Sequence, residues 1–331
     1  MSAGPGDERH AGMTAAPRAL SILCPVFNEA VVIPLFFARM KPVIDRLALR
    51  YDVRLIFLNN GSTDDSLGVI HRLIDENPDI YVLTMSRNVG YQRSIEQGVR
   101  AVLSDIYTII DVDCEDPPEM IEDFAGLIEG GCHVAYGQRV DREEPRLIKK
   151  ARHVFYRLLK AFADEDIILD MAEFSMFTRE IREAIIMENS SFPFLRASIA
   201  RVGFQRTGIP FKRQRRIAGT SHYNFFSMSL FAIGGILASS TLLLRLPIYA
   251  LPFWLLALAI TTGLYASTAS LWYFAAAFLL TASYLGATAA ATALYVARTY
   301  KNGLVRPNSF VDRGRSILPP DMALERPQVL A

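Results

Sequence analysis

The chain has 331 residues, and 35 Lys and Arg nearly balance 34 Asp and Glu, which leaves a formal net charge of +1. A near-zero charge without a long basic tail argues against a nucleic-acid binder that neutralises phosphates, so we expect no nucleic-acid partner. The three cysteines are an odd number without CxxC spacing, so neither a disulfide framework nor a zinc ribbon is implied.

The first part of the chain predicts a short tail followed by an α/β domain. Residues 1–17 are rich in Gly, Ala and Pro and lack the apolar stretch of a signal peptide, so we expect a disordered tail. Apolar runs then alternate with segments of helical spacing. The runs cover 20–26, 53–58, 80–85, 106–110 and 133–136, and the helical segments cover 29–49, 64–76, 91–103 and 118–129. This alternation predicts βαβ units and a mostly parallel sheet.

Polar or turn-forming residues follow four of the predicted strands. Ligands of open parallel sheets bind outside the carboxyl ends of the strands, so these residues are the candidates for chemistry. Asp111 and Asp113 follow the fourth strand, and Glu115 adds a third carboxylate. Carboxylates held this close repel each other unless a cation lies between them, and Mg²⁺ binds through one or two carboxylates while it bridges phosphates. An acidic pair alone also fits a solvated loop, but its position after a strand favours a metal site.

The last third of the chain predicts a membrane hairpin. Residues 246–297 contain no charged side chain, and this segment is long enough for two membrane-spanning helices of about 20 residues each. We place the spans at 246–266 and 271–297, with interfacial helices at 223–245 and a C-terminal tail at 298–331. Lys and Arg flank the hairpin on both sides, so the positive-inside rule predicts that both termini are cytoplasmic in a multi-pass protein of the inner membrane. The alternative is a pair of buried helices in a soluble protein.

An ordered set of motifs resembles a known family. The set comprises PVFNE at 25–29, NNGSTD at 59–64, SRNVGYQRSIEQG at 86–98, DVDCEDPPE at 111–119, GQRVDR at 137–142, DMAEFSMFTR at 170–179 and RRIAGTSHY at 215–223. It resembles the family 2 nucleotide-sugar glycosyltransferases of GT-A type, in the polyprenyl-phosphate branch that includes dolichol-phosphate mannose synthases and bactoprenol glucosyltransferases. The resemblance implies a Rossmann-like GT-A domain over residues 18–222. It also implies inverting transfer of a sugar from a UDP- or GDP-linked donor to a polyprenyl phosphate of undecaprenyl type, for cell-envelope glycans.

The resemblance also assigns roles to individual residues. Those implied to bind the nucleotide sugar are Pro25, Phe27, Glu29, Asn60, Ser62, Asp111 and Asp113. Those implied to bind the acceptor phosphate are Arg139, Arg142, Arg152, Arg213, Arg215 and His222. Asp113 and Glu115 are expected to bind Mg²⁺ or Mn²⁺, and the catalytic carboxylates are Asp111, Asp113 and Glu173, the last of which orients the sugar or the acceptor or has a structural role.

Three departures from the family pattern bear on these roles. Relatives commonly have Asp at or beside position 60, where this chain has two amides, Asn59 and Asn60. An amide donates as well as accepts, which can change the preference for the nucleotide base. The GDFR-like stretch reads Ala-Glu-Phe-Ser at 172–175, so it keeps the carboxylate and loses the Arg. His222 stands where Lys is common, which can make acceptor binding sensitive to pH.

The charge of a lipid phosphate suggests how transfer proceeds. A monophosphate with a second pKa near ~6 is largely dianionic at neutral pH, so it needs little help from a general base. We expect it to be drawn to Arg139 and Arg152 and to attack the anomeric carbon opposite the diphosphate, which inverts the sugar configuration. The same basic runs also fit attraction to an anionic membrane surface.

Other functions remain open at this point. A processive polysaccharide synthase would need a QxxRW motif, yet the two Trp residues, Trp254 and Trp272, lie in the apolar hairpin. A transferase with a lipid hydroxyl acceptor would need a clear base. A catalytically inactive membrane scaffold fits the altered motifs. Two-span hairpins often associate, which leaves a homo-oligomer open.

Overall fold

A computed structural model of the chain describes residues 17–140, 171–188, 193–217, 241–304, 307, 309–320 and 322. The predicted N-terminal tail up to residue 16 and most of the predicted interfacial helices, residues 223–240, lie outside the described residues.

In the described part of the chain, seven strands form one sheet in the order β3-β2-β1-β4-β6-β5-β7. The strands are β1 (Arg18–Val26), β2 (Tyr51–Asn59), β3 (Ile80–Thr84), β4 (Ile106–Ile109), β5 (Val134–Arg139), β6 (Met171–Thr178) and β7 (Arg206–Phe211). Neighbouring strands are parallel except where β6 pairs with β4 and β5. The predicted mostly parallel α/β sheet is therefore confirmed.

Helices pack on both faces of the sheet. They are α1 (Val32–Leu47), α2 (Ser66–Glu76), α3 (Tyr91–Ala101), α4 (Met120–Glu129), α5 (Arg179–Met187) and α6 (Leu195–Val202), with a 3₁₀ turn at Arg313–Arg315. Side chains alternate between the faces along each strand. On β4, Ile106 joins the core beneath α1 and α4, whereas Tyr107 and Ile109 join the core beneath α3, α5 and α6. Odd-numbered side chains at this end of β4 therefore face α3.

Strand β6 is absent from the elements that the sequence predicts. All eight of its residues are buried, including Glu173 and Ser175. These polar residues interrupt the apolar run, so periodicity does not reveal the strand. It closes the parallel part of the sheet by lying antiparallel to β4.

A C-terminal segment, residues 309–318, lies along the outer edge of β3. The backbones of Val82 and Ile317 exchange two hydrogen bonds of 2.8 Å, and the backbone N–H of Ser86 donates to the carbonyl of Phe310 at 2.9 Å. Beyond this segment, Met322 is buried in the core on the α3 side. The segment covers an edge that would otherwise expose unpaired backbone groups.

Two long apolar helices, α7 (Leu242–Thr268) and α8 (Leu271–Gly303), form a hairpin. Their most apolar stretches have mean hydropathies of 1.9 and 1.5, and both helices have the length and composition of membrane spans. Trp254 stacks on Tyr284 with ring centroids 4.7 Å apart. Both helices extend beyond the predicted spans, because α7 begins at Leu242 rather than Leu246 and α8 continues past Ala297 to Gly303.

Candidate active site

A cleft of about 410 Å³ lies at the carboxyl ends of β1, β2 and β4. The side chains and backbone around it come from Pro25, Val26, Phe27, Glu29, Asn60, Asn88, Gly90, Tyr91, Ser94, Asp111, Val112, Asp113 and Arg216. Parallel strands end at the same edge of the sheet, which explains why residues far apart in the sequence meet here. The predicted donor-binding residues all lie around this cleft, apart from Ser62.

Ser62 supports the loop after β1. The backbone N–H of Asn28 donates to Ser62 Oγ at 3.1 Å, and that of Thr63 donates to Asn28 Oδ1 at 2.8 Å. Asn28 has a φ of 56°, a left-handed conformation that Asn tolerates better than most residues. These bonds fix the turn that presents Phe27 and Glu29 to the cleft.

Asn59 and Asn60 end β2 as buried amides. Asn60 Oδ1 accepts from the backbone N–H of Val89 at 2.9 Å, while Asn60 Nδ2 donates to Asn88 Oδ1 at 3.1 Å. The neighbouring Gly61 has a φ of 67°, and a Cβ there would lie 2.6 Å from the carbonyl carbon of Arg87. The loop after β3 is thus held against the end of β2 by an amide that uses its donor and its acceptor.

Asp111 and Asp113 lie at the end of β4, as the sequence predicts. Tyr91 Oη donates to Asp111 Oδ1 at 2.6 Å, and the backbone N–H of Glu115 donates to Asp113 Oδ1 at 3.0 Å. Burial, together with the charges of Asp113 and Asp116, raises the pKa of Asp111 to about 7. The pKa of Glu115 is also raised, mainly by burial and then by Asp113. A cation between these carboxylates would relieve their repulsion.

A basic segment, residues 212–217, lies against the loop that follows β4, residues 111–116, which we call the acidic loop. The backbone N–H of Gln214 donates to the carbonyl of Glu115 at 2.8 Å, and that of Ile217 donates to the carbonyl of Asp113 at 3.1 Å. Arg216 forms an ion pair with Glu29 and lies 3.5 Å from Asp113 Oδ2. The strand-end carboxylates therefore have a guanidinium partner within the cleft.

The predicted acceptor-binding residues occupy different places. Arg213 forms an ion pair with Glu115, and Arg215 is exposed on the same segment. Arg139 ends β5 and lies 3.5 Å from the carboxylate of buried Asp116. The other three, Arg142, Arg152 and His222, lie outside the described residues.

Glu173 lies on β6, beside the residues that line the cleft. Its Oε1 accepts from Gln92 Nε2 at 2.9 Å and from Arg196 Nε at 2.6 Å. Arg196 also donates to the carbonyl of Met171 at 2.9 Å. The carboxylate is thus held between α3 and α6.

The carboxylates of the acidic loop fit a divalent cation whose remaining ligands are the phosphates of a substrate. Among the described residues, no group of three His, Cys, Asp or Glu side chains is placed to hold a metal ion. Mg²⁺ is usually bound by one or two carboxylates together with substrate phosphates and water. Asp113 and Glu115 supply oxygen donors of this kind, and burial, followed by the charges of Asp113 and Asp116, raises the pKa of Asp111 beside them.

Four side chains that bind carboxylates of the site are missing from the sequence-based assignment: Tyr91, Gln92, Arg196 and Arg216. Tyr91 and Gln92 are the first residues of α3, directly after the loop that follows β3. Arg216 follows Arg215 in a basic run, and the sequence does not indicate which Arg turns inward. Position after a strand was a usable signal for Tyr91, whereas the inward turn of Arg216 depends on backbone bonds to the acidic loop.

Known glycosyltransferases are similar to this chain in sequence. Residues 21–186 match the model of "Glycosyl transferase family 2". The uncharacterized glycosyltransferase YkcC of Bacillus subtilis is 34% identical over 70% of this chain and 71% of its own length. The SfII prophage-derived bactoprenol glucosyl transferase of Shigella flexneri is 30% identical over 70% of this chain and 74% of its own.

Among solved structures, glucosyl-3-phosphoglycerate synthase from Mycobacterium tuberculosis is similar with a TM-score of 0.45 and 16% identity, over 66% of this chain and 77% of that one. The match of the family model to half of the chain, together with the YkcC relative, shows the family. This chain belongs to glycosyl transferase family 2.

Proposed function

We propose that this protein transfers a hexose from a UDP- or GDP-linked donor to the phosphate of a polyprenyl phosphate of undecaprenyl type, with inversion at the anomeric carbon. The product would be a lipid-phosphate-linked sugar for assembly or modification of cell-envelope glycans. The observation that carries the proposal is the position of the cleft. Its acidic loop is bonded to the basic segment 212–217, which precedes the apolar hairpin in the chain.

The relatives support the acceptor class. Several of them are named bactoprenol glucosyl transferases, including that of Shigella phage SfV, which is 30% identical over 70% of this chain. A lipid acceptor agrees with two helices that have the composition of membrane spans. We propose that the hairpin crosses the inner membrane twice and that the catalytic domain and both termini are cytoplasmic.

The donor would occupy the cleft between the β1 loop and the β4 end. Phe27 and Asn60 lie where the nucleoside would bind, and Asp113 and Arg216 lie where the diphosphate would bind. A guanidinium binds phosphate oxygens through charge-assisted hydrogen bonds, so Arg216 can exchange its carboxylate partners for phosphate. Asp113 and Glu115 would hold Mg²⁺ or Mn²⁺, which would stabilise the negative charge that develops on the leaving diphosphate.

The acceptor needs positioning more than activation. Its phosphate is largely dianionic at neutral pH and is a competent nucleophile. The cationic side chains of Arg139 and Arg213 pair with Asp116 and Glu115 of the acidic loop, where they can screen this charge from the carboxylates. Attack from the face opposite the diphosphate gives inversion.

The test is a screen of nucleotide sugars with the purified full chain, Mg²⁺ or Mn²⁺ and a short polyprenyl phosphate, with mass spectrometry of the lipid product. We expect one donor to give a lipid-phosphate hexose, and Asp113→Ala to abolish its formation while the protein still inserts into membranes. Full activity of Asp113→Ala would refute the role of the acidic loop.

A further inference from the structure

Glu173 on β6 and Asp111, which follows β4, come from neighbouring strands of the sheet. In the antiparallel pair of β4 and β6, Ile109 is opposite Ser175. Continuing this register by two residues places Asp111 opposite Glu173. Both positions face α3, because Ile109 and Phe177 belong to the core on that side. The two carboxylates therefore share one face of the sheet at the edge where the cleft lies.

The start of α3 holds each of these carboxylates with one side chain. Tyr91 donates to Asp111 Oδ1 at 2.6 Å, and Gln92 donates to Glu173 Oε1 at 2.9 Å. Gln92 Oε1 in turn accepts from the backbone N–H of Leu195, the first residue of α6, at 3.2 Å. Gln92 is thus fixed at both ends of its amide and sets the direction of the Glu173 carboxylate.

Arg196 supplies the charge that Glu173 needs. Glu173 is 7% exposed, and a buried carboxylate is costly unless a cation and hydrogen bonds accompany it. Arg196 donates to Glu173 Oε1 and to the carbonyl of Met171, so its guanidinium is fixed to the same strand. It comes from α6, distant in sequence from the motif that contains Glu173.

The second oxygen of Glu173 has a different environment. Oε2 is buried and has no hydrogen-bond partner, while Oε1 accepts from two donors. A buried acceptor without a partner costs about 1–3 kcal/mol, and native proteins normally satisfy it with water or a ligand. Glu173 therefore has one buried, unsatisfied carboxylate oxygen on the face of the sheet that it shares with Asp111.

We propose that Gln92 and Arg196 are positioning residues that hold Glu173 so that its Oε2 accepts a hydrogen bond from a hydroxyl of the sugar on the donor. This inference rests on the proposed function, since it requires a nucleotide-sugar donor in the cleft. The sugar is attached to the diphosphate, and the proposed diphosphate position is at Asp113, two residues from Asp111. A nucleotide without a sugar lacks the group that would reach Glu173.

The test compares a nucleotide with its sugar derivative. Isothermal titration of the purified full chain with Mn²⁺ measures Kd for UDP and UDP-glucose, and for GDP and GDP-mannose. Because Glu173→Gln removes a hydrogen bond to a charged acceptor, we expect it to raise the Kd for the sugar nucleotide by about 10- to 150-fold. We expect the Kd of the nucleotide without sugar to change by less than about twofold, since it would make no contact with Glu173.

The positioning residues are tested by the same comparison, the Kd for the sugar nucleotide relative to the Kd for the nucleotide without sugar. Arg196→Ala should weaken only the sugar nucleotide, and Arg196→Lys should recover part of the loss because Lys keeps the charge but not the two-nitrogen geometry. Gln92→Met keeps the volume of the side chain and should give the same selective loss if Glu173→Gln fails to fold. Arg201→Ala is the matched control, because it removes an ion pair with Glu188 from the same helix.

The outcomes separate this inference from the proposed function. If the variants lose affinity equally for the nucleotide and the sugar nucleotide, or lose affinity for neither, the proposed role of Glu173 is overturned. The proposed function still stands in that case, provided that the wild-type chain makes lipid-linked sugar. A wild-type chain that binds none of the sugar nucleotides overturns both.

Discussion

Replacing Asn60 by Asp tests how the end of β2 is built, because it changes one amide nitrogen to oxygen and keeps the shape. Asn60 is 4% exposed, and its Nδ2 donates to Asn88 Oδ1 at 3.1 Å. An Asp would face that oxygen with a second oxygen. Asn88 cannot turn its amide without loss, because Oδ1 also accepts from the backbone N–H of Gly90 at 2.9 Å.

The expected cost follows from these contacts. One lost hydrogen bond that leaves a buried group unpaired costs about 1–3 kcal/mol, and the buried charge of the new Asp adds to this cost. At about 2–4 °C per kcal/mol for a domain of this size, a loss of about 2 kcal/mol lowers the thermal midpoint by about 4–8 °C. The loop after β3 also lines the cleft, so the Kd for the nucleotide should rise.

The assay is thermal unfolding at pH 8, with isothermal titration of UDP and GDP. Asn28→Asp is the control, because Asn28 Oδ1 accepts from Thr63 and an Asp can still accept there. The opposite expectation comes from the family resemblance, which implies an Asp at or beside this position and would make Asn60→Asp bind nucleotide more tightly. A variant with wild-type stability and equal or tighter nucleotide binding would refute the donor role of the Asn60 amide.

Three further changes have defined outcomes. Arg216→Ala should raise the KM for the donor by about tenfold or more, because charge-assisted hydrogen bonds to phosphate are lost. The KM for the lipid should stay unchanged. A rise of both KM values in steady-state kinetics would contradict this prediction. Asp111→Asn should stabilise the metal-free protein above pH 7, because the pKa of Asp111 in the folded state, about 7, exceeds its ordinary value, so that ionisation opposes folding. The gain in stability over wild type should shrink as the pH falls from 7 towards 4. Thermal midpoints of variant and wild type that differ equally at pH 5 and pH 8 would contradict this prediction. Removing residues 309–331 should lower the thermal midpoint and cause the protein to self-associate, because the edge of β3 and the core around Met322 become exposed. Light scattering equal to that of the full chain would contradict the protective role of this segment.

The sequence was sufficient to predict the first four strands and much of the cleft. Each of these strands is an apolar run of ordinary length between helical segments, so local periodicity identifies it. The parallel order then places Glu29, Asn60 and Asp111 at one edge of the sheet, although about 80 residues separate the first from the last. The structure brings all three to the same cleft.

Other parts of the site depend on contacts that no local pattern reveals. Strand β6 carries Glu173 among buried apolar residues, and its partner Arg196 lies on a helix without a distinctive motif. The ion pair between Arg216 and Glu29 joins residues at opposite ends of the domain sequence. Such pairs are set by how the chain packs after the sheet has formed, so composition and spacing cannot assign them.

The most direct test of the central claim is the choice of acceptor. The purified full chain, with its donor and Mn²⁺, is given equal amounts of undecaprenyl phosphate and undecaprenol, and the lipid products are identified by mass and ³¹P NMR, with the anomeric configuration read from ¹H NMR couplings. We predict a phosphodiester-linked hexose of inverted configuration from the phosphate and no glycoside from the alcohol. A glycoside of the alcohol as the main product, or a retained configuration, would contradict the account.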